Sequence, residues 1–386
     1  MTTDFQRLAG EGFVVEVRQQ HLFLHEIPYV NAAREIKRGT LVCTYVESAG
    51  VVLPPDNHQV WWIGEYPCLP NGQPISQIEN ENGRRDLFPG CTVDFRFSNK
   101  PDGVVAFASN YSKLLHYLTI IQNQARALQE VDARLSREPK LEKSRSPFVY
   151  EDTASARASI QTASARLAIE RVAVIGLGGT GSYVLDQLAK TPIAEIHLFD
   201  GDVFLQHNAF RAPGAATLDE LAAKLPKVEY FARRYSYMHR GIVAHPHHLD
   251  ASNLGELGQP NFVFLCVDDG PTRKLLMTHL LSSNIPFIDV GMSLQILAAN
   301  SKLFGACRVT LCTPSRNDHI AQFVPTEADG ADELYRQNVQ VADMNALNAQ
   351  LAVVKWKQLL GFYQDDFDAH NLTFTVNTPS LVRDAT

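Results

Sequence analysis

Arg211, Lys224 and Asp268 are the residues whose types and spacing suggest chemistry, because all three follow a glycine-rich turn, Gly176-Leu-Gly178-Gly179-Thr-Gly181. The turn has the G-x-G-x-x-G pattern. Its glycines let the backbone bend tightly and approach a phosphate, while free N–H groups of a following helix face the anion. Asp200, 24 residues after Gly176, stands where a carboxylate accepts from a ribose hydroxyl. So far this says only "nucleotide", and a dinucleotide dehydrogenase is the default reading. The cations point elsewhere. Arg211 and Lys224 lie 11 and 24 residues after Asp200. Two positive charges there suit a triphosphate, because they neutralise charge that builds on the α-phosphate and on departing pyrophosphate. Asp268 ends an apolar strand, at the edge where open α/β sheets place ligands, and a carboxylate there holds Mg²⁺ between phosphates. An NAD-binding oxidoreductase needs neither group.

These side chains require a scaffold of alternating strands and helices. Val172–Ile175 reads as a buried parallel strand, and Val184, Leu185 and Leu188 have the spacing of a helix face. Ile196–Phe199, Ile242–His245, Phe262–Val267 and Phe287–Gly291 continue as strands, with helices over 221–237 and 275–281 between them. The expected fold is therefore α/β, a doubly wound and mostly parallel Rossmann-like sheet. Leu303–Leu311 reads as one more strand, and Val339–Leu360 as a long helix with a buried face. Residues 151–168 read as an alanine-rich helix leading into the first strand.

Ahead of this lies a smaller α+β domain. Phe13–Val17 and His21–Ile27 suggest a hairpin through Gln19-Gln20, closed by Pro28. Thr40–Val46 and Gln59–Gly64 are further strands, and Tyr111–Leu135 has helical periodicity. Residues 136–150 are charged and proline-punctuated, which is linker composition. The expected domains are 1–145, of unknown role, and 151–386. Cys68 and His58 read as a core cysteine and a turn histidine.

With Gly176-Leu-Gly178-Gly179-Thr-Gly181, Asp200-Gly-Asp202-Val203, Asn208-Ala-Phe-Arg211, Lys224 and Asp268 in order, the chain resembles the ThiF/MoeB-type, ubiquitin-activating (E1-like) adenylyltransferases. The resemblance covers roughly residues 155–360. The additional N-terminal domain resembles that of a bacterial subfamily found beside ubiquitin-like, E2-like and JAB-type peptidase partners. The resemblance implies that Asp200 binds ribose, that Asn208, Arg211 and Lys224 contact phosphates, and that Asp268 binds Mg²⁺; Asp202 belongs to the same motif. It implies a homodimer in which an arginine ahead of the first strand reaches the partner's ATP; Arg157 is the best match and Arg166 the second. The implied reaction joins the C-terminal carboxylate of a ubiquitin-like or sulfur-carrier protein to the α-phosphate of ATP. An adenylating enzyme for a peptide or tRNA substrate is the alternative within the class. Many members form a thioester, and Cys312, after Val-Thr-Leu, stands roughly where that cysteine falls. Thioester formation would be followed by transfer to an E2-like partner; the other reading of Cys312 is a surface or core thiol in an enzyme that stops at the adenylate or passes it straight to a partner.

Composition narrows the rest. The net charge of −7, from 35 basic and 42 acidic residues, argues against a general nucleic-acid binder. The first residues lack the pattern of a signal peptide, and no run is long enough to span a membrane. The six cysteines have no C-x-x-C spacing, so no structural zinc is expected, and they fit a reducing cytoplasm. His245, His247 and His248 read as a solvated loop in preference to a metal site. Asn345 and Asn348 on the long helix suit either a substrate-tail groove or packing. Asp365, Asp366 and Asp368 read as solvated surface.

Overall fold

Valine and isoleucine crowd Val172–Ile175 because the strand they form, Arg171–Ile175, is covered on both faces. The computed structural model describes residues 3–48, 51–134, 140–141, 146–158, 160–326 and 339–384. In it Val172 and Val174 face one side of a sheet, and Ala173 and Ile175 the other. The first side is packed by Val184, Leu185 and Leu188 of helix Gly179–Leu188 and by Val353 and Trp356 of helix Ala342–Leu359. The second is packed by Leu276, Met277 and Leu280 of helix Gly270–Ser282. Each aliphatic side chain buried in this way contributes about 1.5–3 kcal/mol.

The sheet has eight strands, in the spatial order Ile242–His245, Glu195–Phe199, Arg171–Ile175, Phe262–Leu265, Phe287–Leu297, Lys302–Cys312, Asn371–Thr375 and Ser380–Asp384. The first five run parallel and the last three are added antiparallel. The chain leaves Arg171–Ile175 to one side and returns on the other at Phe262–Leu265. That reversal opens a crevice at the strands' carboxyl ends, where such sheets bind ligands. The doubly wound fold expected from the sequence is the one that forms.

Several local expectations are corrected. The fifth strand does not stop at Gly291 but runs on to Leu297, paired residue by residue with Lys302–Cys312. The helix expected over 221–237 is two helices, Leu218–Ala222 and Lys227–Tyr235. Pro226 separates them, since it disfavours helical backbone at the residue before it. The single helix expected over 151–168 is broken into Thr153–Arg157, Gln161–Ser164 and a 3₁₀ turn at Ala165–Leu167.

By its contacts the chain divides into two compact units, residues 1–145 with 151–165, and 146–150 with 166–386. The first is built on a seven-stranded sheet. Helix Asn110–Arg126 lays Leu114, Tyr117, Leu118 and Ile121 against Leu22, Leu24, Leu41, Trp62 and Phe97. The hairpin turns through Gln19 and Gln20, both left-handed at φ 48° and 57°, the backbone that a two-residue hairpin turn needs. Pro28 does not close the hairpin; it lies within strand His21–Val30, opposite Arg38. The helix expected as far as residue 135 ends at Arg126. Of the expected linker, 136–139 and 142–145 lie outside the described residues, and Lys140–Leu141 pair with strand Val15–Arg18. Ser146–Tyr150 belong to the second unit, where Arg240 donates to the carbonyls of Ser146 and Val149 at 3.2 and 3.1 Å.

Candidate active site

The glycine turn is fixed by backbone on both sides. Gly176 N donates to Phe199 O, and Cys266 N to Ile175 O, each at 2.8 Å. Gly176 is left-handed at φ 88°, and a β carbon there would lie 2.6 Å from Cys266 O. One at Gly181 would lie 1.9 Å from Gly176 O. One at Gly179 would lie 2.0 Å from the side-chain amide of Asn345, which accepts from Thr180 Oγ1 at 3.0 Å. Gly178 stands free as the cap of helix Gly179–Leu188. So Gly176, Gly178 and Gly179 line the cleft, while Gly181 serves the close packing of the turn. Asp200 is buried and holds the turn from below. Its two oxygens accept Leu177 N at 2.7 Å and Asp202 N at 2.8 Å, and lone pairs remain for a sugar hydroxyl.

The cations require a correction. Lys224 sits on an exposed left-handed turn, φ 46°. The buried lysine is Lys227, at the first position of helix Lys227–Tyr235, and it lines the cleft. Its Nζ is 2.6 Å from Asp202 Oδ2 and 3.5 Å from Asp200 Oδ1. That ammonium, hydrogen-bonded to Asp202, holds the Asp202 carboxyl below its ordinary range. The spacing from Asp200 favours Lys224, but the chain inserts an extra turn and Pro226 before the helix begins. The Pro-Lys pair at a helix start was the signal available in the sequence.

Arg211 lines the same cleft, and its buried Nε has no hydrogen-bond partner among the described residues. Asn208 is not among the lining residues. Its Oδ1 accepts Leu205 N at 2.9 Å and its carbonyl accepts Arg211 N at 3.1 Å, so it shapes the turn that carries Arg211. His248, which the sequence reading placed in a solvated loop, lies over Gly201 with Nε2 3.5 Å from Asp202 Oδ1, and it lines the cleft. Asp268 is exposed just beyond strand Phe262–Leu265 and makes no hydrogen bond or ion pair among the described residues. Its neighbour Asp269 is spent on capping helix Gly270–Ser282 through Thr272 N at 2.8 Å.

The cleft has a volume of about 950 Å³. Beyond the nucleotide-type residues it is lined by Val290–Gln295 and Ala306–Arg308 of the fifth and sixth strands, with Asn348 and Thr373. Asn348 Nδ2 donates to Gly291 O at 3.1 Å, and its buried Oδ1 is unpaired among the described residues. Arg157 lies in helix Thr153–Arg157 of the first unit, and Arg166 donates to Gly361 O.

Cys312 is not the mobile thiol the sequence suggested. It is the last residue of strand Lys302–Cys312, faces Phe287, and is 1 % exposed within the core beside Ile320. Burial pushes its thiol up to about 12, and that of Cys307 to about 11. Cys266 lines the cleft, but burial and the charge of Asp289 push its thiol up as well. All six cysteines are described; Cys266 is partly buried and the other five are buried. Cys312→Ala should therefore leave any adenylation rate within about twofold. Iodoacetamide at pH 8 should label the native chain far more slowly than the unfolded chain, since a protonated buried thiol is inert. Rapid native labelling at Cys312, mapped by mass spectrometry, would contradict this.

The remaining features are structural. His245 is no solvated residue: it stacks on Phe199 at 4.2 Å, and its Nε2 lies 3.0 Å from His197 Nδ1. Among the described residues no group of three or more His, Cys, Asp or Glu is arranged to hold a metal. Asp365 accepts from the buried Lys355 at 2.6 Å and is thus not simple surface.

A doubly wound sheet with a glycine turn at its switch point defines a protein of the Rossmann-like class. Residues 153–373, more than half of the chain, match the model described as "ThiF family", and the chain belongs to that family. Residues 3–153 match "Domain of unknown function (DUF6791)". The chain is similar to ubiquitin-like modifier-activating enzyme 5 of Drosophila ananassae, 29 % identical over 143 residues that cover 33 % of this chain and 35 % of that one. The match to the Drosophila mojavensis enzyme has the same coverage at 28 %. The chain thus spans about a third of the length of these curated relatives. Among solved structures it is similar to MccB of E. coli with ATP, at 16 % identity over 61 % of this chain and 71 % of that one, TM-score 0.45. It is also similar to PaaA, at 16 % identity over 72 % and 92 %, TM-score 0.48. No helix among the described residues is long and apolar enough to cross a membrane.

Proposed function

We propose that this protein uses ATP to adenylate the C-terminal carboxylate of a ubiquitin-like or sulfur-carrier protein. The observation that carries the reading is Arg211. A buried guanidinium nitrogen without a partner among the described residues, in one cleft with Lys227 and a glycine turn, fits an anion that brings its own acceptors. Membership of the ThiF family supports the nucleotide chemistry. The relatives' name, ubiquitin-like modifier-activating enzyme, supports the substrate class.

In this reading a carboxylate oxygen of the carrier forms a bond to the α-phosphorus. The bond from that phosphorus to the bridging oxygen of the β-phosphate breaks, and pyrophosphate departs. The nucleophile is already an anion, so no residue need remove a proton. The protein's work is positioning and charge stabilisation. Asp200 holds ribose, Arg211 and Lys227 face the phosphates, and helix Gly179–Leu188 presents its N-terminus to them. Asp268, whose carboxylate has no partner among the described residues, would be the residue to hold Mg²⁺. When bound the ion neutralises charge on the phosphates. Cys312 and Cys307 are buried, and the Cys266 thiol at the cleft is held protonated by burial and by Asp289, so the activated acyl group passes to a nucleophile on a second protein, for which an E2-like partner is the natural class.

Calorimetry with ATP–Mg²⁺ and with NAD, followed by pyrophosphate exchange with and without a candidate carrier, tests the reading. The expected result is ATP binding and carrier-dependent exchange. NAD binding without ATP binding would overturn the adenylation reading.

A further inference from the structure

We propose that Arg308 receives the reacting end of the substrate that is activated, its C-terminal carboxylate before adenylation and the acyl oxygen of the adenylate afterwards. The proposal rests on the adenylation reading. It begins at Asp289, in strand Phe287–Leu297, which has 0 % exposure and sits between two guanidiniums, Arg273 and Arg308. One carboxylate between two arginines leaves one positive charge uncompensated, and the hydrogen bonds identify which arginine presents it.

Arg273 has all three of its nitrogens engaged. Its Nε donates to Asp289 Oδ1 at 3.1 Å, and its terminal nitrogens donate to Pro325 O at 3.1 Å and Val267 O at 2.5 Å. It braces the turn that follows the fourth strand. Arg308 is anchored differently. One terminal nitrogen donates to Asp289 Oδ2 and the other to Thr310 Oγ1, and Thr310 Oγ1 donates in turn to Asn371 Oδ1 at 2.7 Å. Its Nε makes no hydrogen bond among the described residues, and each terminal nitrogen keeps a second hydrogen. The side chain is 14 % exposed and lines the same cleft as Arg211 and Lys227. Gly291 stands directly opposite in register, and a β carbon there would lie 2.9 Å from the guanidinium, so a glycine leaves the seat open.

The chemistry needs such a group. Nucleophile and electrophile are both anions, and Lys227 is already committed to Asp202 and Asp200. A planar fork held from behind by a carboxylate and a hydroxyl can bind a carboxylate without first being ordered. Arg308 is therefore a substrate-binding residue on the fifth- and sixth-strand side of the cleft, distinct from the cations assigned to ATP.

Calorimetry on the full chain with two non-reacting probes tests this: AMP, and 5′-O-[N-(acetylglycyl)sulfamoyl]adenosine, which adds an acyl group. The change in the ratio of their affinities between wild type and variant reports what Arg308 contributes to the acyl group, since the exchange of phosphate for sulfamate is common to both proteins. Wild type should favour the acyl probe by about 30-fold, the scale of one hydrogen bond to a charged group. Arg308→Gln should reduce that preference to about threefold or less and leave AMP affinity within about twofold, and Arg308→Lys should restore part of the preference. If Arg308→Gln proves unstable, Arg308→Met, which keeps an unbranched apolar stem and leaves Asp289 paired with Arg273, should show the same lost preference. An unchanged ratio, or a fall in AMP affinity with the ratio intact, would overturn the assignment while leaving the adenylation reading standing. If wild type binds neither probe nor ATP, the adenylation reading fails, and this proposal with it.

Discussion

Lys227→Ala should lower carrier-dependent pyrophosphate exchange by about 100-fold or more, whereas Lys224→Ala should leave it within about twofold. The two lysines are three positions apart, yet only Lys227 is buried, paired with Asp200 and Asp202, and on the cleft wall. Removing a fixed cation from beside a phosphate forfeits stabilisation of charge developing there, which costs about 3–4 kcal/mol in comparable sites. The variant also loses fold stability, because Asp200 remains buried without its cation. Two backbone N–H donors still serve that carboxylate, so the loss should be near about 3 kcal/mol, the low end for a broken buried pair. Exchange must therefore be read below the variant's melting temperature. Equal losses in the two variants, or a loss confined to Lys224→Ala, would return the phosphate role to the exposed turn.

Asp268→Ala should reduce exchange by about 100- to 1,000-fold, with melting unchanged. A metal ion contributes several kcal/mol of charge stabilisation to such a transfer. An exposed carboxylate with no partner among the described residues contributes nothing to packing. The cost should fall as Mg²⁺ is raised if the residue acts by holding the ion. Near-normal exchange at low Mg²⁺ would move the metal elsewhere. The same variant addresses Arg157. If Arg157 acts across a homodimer, mixing Asp268→Ala with Arg157→Ala subunits should restore part of the activity. No recovery, in mixed dimers shown to have formed, would remove Arg157 from that role.

The parallel half of the sheet was legible because its strands are continuous apolar runs that stop at Gly176, Asp200 and Asp268, so pattern and ligand edge coincide. What escaped had weaker local signals. Strand Glu79–Phe88 escaped because it is polar and exposed over most of its length, with Leu87 and Phe88 its two buried residues, so it shows no alternation. The continuation of Phe287–Gly291 to Leu297 was hidden by the change from parallel to antiparallel pairing. There one face opens to the cleft and the apolar run breaks into Ser293 and Gln295. Lys224 was favoured because counting from a motif cannot see an inserted turn. Cys312 was misread because a strand's last residue still points inward or outward by alternation, and here the inward position falls on the thiol. The pairing of Asp289 with Arg308 joins residues whose only common feature in the chain is charge, and register alone brings them together.

Asn345 occupies the space where a side chain at Gly179 would stand, and it is tied to Thr180 across 165 residues of sequence. The glycine loop is thus finished by a group that the ribosome supplies long after the loop itself. Until helix Ala342–Leu359 docks, the strands near the switch point also lack Trp356 on one face. Contacts so distant along the chain form late, because the intervening segment must first lose its freedom. On the adenylation reading, a chain in which that helix has not docked should lack the finished loop and bind ATP weakly.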